Sequence, residues 1–169
     1  SAATVILLAP DLKEELPVLY LRLRGAAEKK KIRIIEITTH DSGLTRYAWK
    51  SLQYEPGHQA ETVQQMLSNP EMQEQLGRGS VVVVAGRSNL SEAAQHTMAV
   101  VDTIATTVSQ VSVLPVLRRA NVRGALSLGL APRGSTDAAA ILEASANGKV
   151  DCLILLGADP LSDVPDADL

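Results

Sequence analysis

Short unbroken apolar runs alternate along this chain with stretches in which apolar residues recur at helical spacing. Residues 4–9 (TVILLA) form the first run, closed by Pro10. A run this short and this apolar predicts a strand buried on both faces of a parallel sheet. Asp11 and Glu14 have the spacing of a capping box. Pro17 is tolerated only in a first helical turn, so a helix is expected from about Pro17 to about Lys30. Residues 32–38 (IRIIEIT) predict the second strand. Residues 39–56 have no clean period; Leu44, Tyr47, Trp49, Leu52 and Tyr54 suggest an extended excursion with aromatic anchors, ended by Pro56-Gly57.

Helices follow over roughly 60–67 and from Asn69-Pro70 to Gly77 or Gly79. Residues 80–85 (SVVVVA) are the clearest strand. After Gly86-Arg87-Ser88 a helix is expected to start at Asn89, with Glu92 as its capping partner. Its buried stripe would be Ala93, Thr97, Val100, Val101, Ile104 and Val108. Residues 111–116 form a strand and 117–134 a connection containing Gly and Arg. Ser135 or Thr136 caps a helix through Ala146, which Gly148 ends, and residues 151–156 (DCLILL) read as the last strand. Continuous apolar strands alternating with helices predict an α/β fold: a doubly wound, Rossmann-like parallel sheet of about five strands with helices on both faces. Residues 1–158 are expected to form a single domain, and 159–169 an acidic tail at a trimmed end of the chain.

Composition narrows the function. Aromatics make up 2% of the 169 residues and Phe is absent, so the core rests on Val, Leu, Ile and Ala, and a surface of stacked rings is disfavoured. A net charge of −3 argues against a nucleic-acid binder. The basic cluster Lys29-Lys30-Lys31 with Arg33 falls where the first long helix should end, and there it offsets the helix dipole. The single cysteine, Cys152, can form neither an internal disulfide nor, alone, an iron–sulfur or thiolate zinc site. It suits a reducing compartment. No apolar run approaches the roughly 20 residues of a membrane span, and the short N-terminal apolar run lacks the basic leader of a signal peptide.

The common catalytic motifs fail on specific residues. The chain's G-x-G, Gly77-Arg78-Gly79, precedes a strand, whereas a dinucleotide fingerprint follows one. Gly148-Lys149 is followed by Val150, so no hydroxyl is placed to hold Mg²⁺. Gly86-Arg87-Ser88-Asn89-Leu90 approaches a nucleophile elbow but has Leu90 where the second glycine belongs. His40, His58 and His96 share no metal-binding spacing and read as surface or loop residues, and the aspartates 159, 163, 166 and 168 have no calcium-loop pattern. What remains is the rim of the sheet. Open parallel sheets bind ligands beyond the carboxyl ends of their strands. Three segments end strands that way: Pro10-Asp11, residues 86–89 and residues 157–160, with the 121–134 connection beside them. The candidate cofactor-binding set is Gly86, Arg87, Ser88, Asn121, Gly124, Gly157 and Asp159, with Arg87, Arg123 or Arg133 supplying positive charge. The competing reading is that these glycines serve only the turns.

Two segments carry a resemblance. Residues 121–132 (NVRGALSLGLAP) resemble the N-x-x-G-A-x-x-x-G-x-x-P element of the molybdopterin oxidoreductase superfamily. Residues 155–160 (LLGADP) resemble its strand-ending G-x-N-P element, with Asp159 in place of Asn. Within that superfamily, residues 113–119 (VLPVLRR), with 121–124, are similar to the G subunit of bacterial NADH-quinone oxidoreductase, respiratory complex I, and residues 53–57 (QYEPG) fit the same family. The resemblance implies a fragment of the large iron–sulfur subunit of an enzyme passing electrons from NADH to quinone. It implies iron–sulfur clusters in a cysteine-rich part outside this chain. Its partners would be the other subunits of the peripheral arm, on the cytoplasmic side of the bacterial inner membrane, without membrane insertion. The domain itself would be structural, inactive alone, with no metal or other cofactor. The alternative implied is a domain that binds the guanine dinucleotide of a pterin cofactor. Asp159 would place negative charge near its phosphates, which points to a vestigial site.

Overall fold

The computed structural model describes residues 2–87, 93–117, 121–130 and 137–159. The chain divides into two compact units, residues 1–120 and 121–169.

The first unit is a five-stranded, all-parallel sheet of order β3-β2-β1-β4-β5. Its strands are β1 (Thr4–Leu8), β2 (Arg33–Thr38), β3 (Lys50–Gln53), β4 (Val81–Ala85) and β5 (Val111–Pro115). Between them come α1 (Leu12–Glu15), α2 (Pro17–Glu28), a 3₁₀ turn (Thr45–Tyr47), α3 (Gln59–Ser68), α4 (Pro70–Leu76) and α5 (Ala94–Thr107). The chain steps from β1 outward to β2 and β3, then returns past β1 to β4 and β5. Crossovers in the two directions, each right-handed, must use opposite faces. The packing follows that rule. Leu12, Leu16, Tyr20, Leu23 and Ala27 meet Val5, Leu7, Ile34 and Val84 on one face. On the other, Val63, Met66, Met72, Leu76, Val100 and Ile104 meet Ile6, Leu8, Ile35, Ile37, Val81 and Val83. Successive residues of each strand thus serve opposite cores, which is why the strands are apolar without alternation.

Local chemistry sets the helix ends. The Asp11 carboxylate accepts from Lys13 N at 2.9 Å and caps α1. Pro17 opens α2 in the first turn, where its missing N–H leaves no bond unmade. The Asn69 side chain caps α4 by accepting from Glu71 N and Met72 N, with Pro70 in the first turn. Lys30, at φ 53° and within the basic cluster, turns the chain out of α2. At the amino ends of the strands, Gln75 of α4 donates to Thr4 Oγ1 at 2.9 Å and accepts from Arg33 at 2.9 Å. Arg33 also lies 4.8 Å over the Trp49 ring.

Three expectations need correction. The fifth strand is β3, inside the stretch that shows no clean period; its four residues (KSLQ) contain one large apolar side chain, so an edge strand here carries almost no hydrophobic signal. Residues 151–156, expected as the last strand, belong to no strand among the described residues, and Leu153, Ile154, Leu155 and Leu156 are exposed. Strand propensity alone gives a strand no hydrogen bonds; a ladder partner must supply them. The helix expected from Asn89 begins at Ala94 after an extended Ala93, which is exposed and outside the buried stripe. The predicted cap residues Asn89 and Glu92 lie outside the described residues. Thr97, Val100 and Ile104 are buried as expected.

The second unit contains α6 (Val122–Ser127) and α7 (Ala138–Ala146). Asp137 caps α7 by accepting from Ala140 N at 2.8 Å. The cap candidates Ser135 and Thr136 lie outside the described residues. Gly148, at φ 65°, ends that helix as expected.

Ile6 is fully buried in the central strand. Ile6→Ala is expected to lower stability by about 2–5 kcal/mol, and Leu21→Ala, at a position 58% exposed, by no more than about 0.5 kcal/mol. Urea unfolding followed by the fluorescence of Trp49, the single tryptophan, checks both.

Candidate functional site

In a sheet of this order the switch point lies between β1 and β4, whose following connections leave in opposite directions. Beyond their carboxyl ends lie Pro10-Asp11 and Gly86-Arg87. Gly86 N donates to Leu8 O at 2.7 Å and Val116 N to Ala85 O at 2.7 Å, so the ends of β1, β4 and β5 are drawn together. A Cβ on Gly86 would stand 2.6 Å from Val116 Cγ2, 3.1 Å from the Val116 carbonyl oxygen and 3.3 Å from Pro10 Cδ. The glycine is required by neighbouring protein atoms. On the β1 side, the two oxygens of Asp11 accept from Lys13 N at 2.9 Å and Gly43 N at 3.1 Å. These amides are already held by a carboxylate of the chain itself.

On the α5 face, Gly86 and Arg87 border a groove of about 950 Å³ between α5 and β5. Met98, Val101, Val113 and Pro115 make its walls mostly apolar, with Thr97 and Asp102 on the helix side. Such a lining suits an apolar surface better than a pyrophosphate, which needs convergent N–H donors or cations.

The other candidate residues fall in the second unit, except Ser88, which lies outside the described residues. Asn121 adopts the left-handed conformation, φ 57°, immediately before α6. A Cβ on Gly124 would lie 2.1 Å from Asn121 Oδ1, so the Asn121 side chain occupies the space over that glycine. Gly129, at φ 78°, turns the chain out of α6, and Leu130 N returns to Ala125 O at 3.0 Å. The N-x-x-G and later Gly positions therefore begin, pack and end one short helix. Gly157 has φ 62° in a bend and Asp159 is exposed. Arg123 lies in α6, and Arg133 is outside the described residues.

Sequence reasoning missed a polar cluster. Glu36, 1% exposed in β2, accepts from Thr45 Oγ1 at 2.7 Å, from Ser51 Oγ at 3.1 Å and from Ser42 Oγ. The available signal was an acid at an inward position of an otherwise apolar strand.

The histidines sit on the surface. His40 contacts Thr39 Oγ1 at 3.0 Å, and His96 is exposed on α5. His58 Nδ1 lies 2.7 Å from Glu61, and that hydrogen bond, with the charge behind it, raises its pKa above the ordinary histidine value. Arg78 lowers the Glu74 pKa in the same way through a 2.6 Å contact. Both pairs are exposed surface pairs. Among the described residues no group of three or more His, Cys, Asp and Glu side chains could hold a metal ion. Cys152, expected within a strand, is exposed and unpaired by disulfide.

Gly86→Ala is expected to destabilise the protein by about 1–3 kcal/mol, the cost of overpacking, read as a lowered melting temperature. The His58 titration, followed by proton NMR, should have its midpoint above the ordinary histidine value, and Glu61→Gln should bring it down. Because the folded-state pKa is raised, the pair's small contribution is complete below the unfolded pKa and fades as pH rises through the folded one.

No protein-family model matches the chain. Among curated proteins it is similar to the G subunit of the NADH-quinone oxidoreductase of Streptomyces coelicolor, with 28% identity over 203 aligned positions that cover 98% of the chain. The chain spans about a quarter (24%) of that relative's length, so its likeness is to one portion of a much longer polypeptide.

Proposed function

We propose that this chain is a portion of a protein of the G-subunit type from an NADH-quinone oxidoreductase, and that it supplies structure to the assembly without carrying a redox centre. The similarity to the Streptomyces coelicolor protein, which runs through 98% of the chain, carries this reading. The sheet order supports it as the doubly wound architecture that the resemblance implies. An iron–sulfur cluster takes several cysteine ligands, and one cysteine does not fit that requirement. Any clusters of the parent would be held elsewhere in its length. The partners would be the other subunits of the peripheral arm. The position proposed with them is peripheral, on the cytoplasmic side of the inner membrane; none of the described helices is long and apolar enough to cross a membrane.

The alternative, a domain that holds a pterin guanine dinucleotide, draws on the groove beside Gly86 and Arg87. Against it stand the groove's apolar walls, the Asp11 carboxylate across two rim amides, and the local packing of Asn121 over Gly124. On these described residues we favour the structural reading over the dinucleotide site.

Two measurements test the proposal. In cells that encode the chain, an affinity tag on the parent protein should recover a large assembly with NADH dehydrogenase activity; recovery as a small free protein counts against the family reading. The purified chain should melt at the same temperature with and without guanosine diphosphate. A ligand at a hundred times its dissociation constant would add about 2.7 kcal/mol, and a rise of that size would favour the binding module.

A further inference from the structure

A buried carboxylate normally needs a cation or several hydrogen-bond donors to compensate for lost hydration. Glu36 has three hydroxyls and no salt-bridge cation among the described residues. Two of its donors, Ser42 and Thr45, lie on the irregular segment 41–48, and the third, Ser51, is on β3. The same hydroxyls organise the segment further. Ser42 Oγ accepts from Leu44 N at 3.1 Å, and Thr45 Oγ1 accepts from Ser42 N at 2.8 Å. Asp11 adds a tie beside the switch point by accepting from Gly43 N. Gly43 lies so close to the start of the α2 face that a Cβ there would come within 2.9 Å of Lys13 Cβ and 3.2 Å of the Tyr20 ring. One apolar plug, the fully buried Leu44, seats the segment in the core of that face. Farther along, Tyr47 is held between Arg24 and Arg46 at 5.3 and 4.9 Å.

An isoleucine at position 36 would satisfy the strand as its neighbours do. The acid serves the segment. We propose that residues 41–48, the connection from β2 to β3, form a strap latched against the α2 face by Glu36, and that this strap opens as a unit while the sheet stays folded. The closed strap is tied to the β1 end of the rim through Gly43 N and Asp11. The device does not depend on the family reading, because it rests on these contacts alone.

Hydrogen–deuterium exchange of the whole chain, compared with Thr45→Val and Ser42→Ala, tests the proposal. Each variant removes one donor to a charged acceptor, and exchange across 41–48 should accelerate about tenfold or more while the peptides holding β1 and β4 keep their wild-type rates. Acceleration of threefold or more confined to the strap supports the latch. A smaller effect, or one shared equally by β1 and β4, overturns it, since Glu36 would then be an ordinary part of the global core. If neither variant folds, Ser51→Ala, at an exposed position outside the strap, is read by the same criteria.

Discussion

The central constraint is that β1 must be covered on both faces at once. Val5 and Leu7 point to one layer of helices, Ile6 and Leu8 to the other, and all four are essentially inaccessible to water. A strand with this demand cannot sit at an edge. It takes a strand on each side, β2 and β4, and needs crossovers on opposite faces. The position of every other element in residues 1–120 follows from meeting that need.

The same geometry creates the switch point and crowds position 86. Drawing the ends of β1, β4 and β5 together leaves no room for a side chain at position 86. A glycine after a strand is often read as an invitation to a phosphate; here its neighbours are Val116 and Pro10. Asp11 takes up two amides on the other side. The motif of residues 121–130 behaves alike within its own unit, where Asn121, Gly124 and Gly129 shape a six-residue helix. Residues that look like a ligand fingerprint can be kept by local packing alone. A fold class often associated with binding does not by itself assign binding to such residues.

Glu36 shows the opposite arrangement, in which a polar group is kept inside an apolar layer for the sake of its donors. Two of its three hydroxyls come from the segment 41–48, which has little apolar surface of its own beyond Leu44 and Tyr47, and the third from β3. Hydrogen bonds to a charged acceptor are directional and strong in a dry setting. They can therefore order an irregular stretch that hydrophobic contact would leave loosely placed.

The parallel architecture was legible in the residues alone, because runs such as TVILL and VVVVA have no polar face to offer water and so must be buried twice. So were the ends of α2, α4 and α7, where Pro17, Asn69-Pro70 and Gly148 act through bonds to near neighbours. The remainder became visible in the folded chain. β3 exists because Ile35 to Thr38 offer it a ladder, and residues 151–156, far more apolar, form no strand. Pairing is a long-range event that a segment's own composition does not encode. The Glu36 cluster was hidden for the same reason: its hydroxyls lie 6, 9 and 15 residues away, and they converge only once β2 and β3 stand side by side.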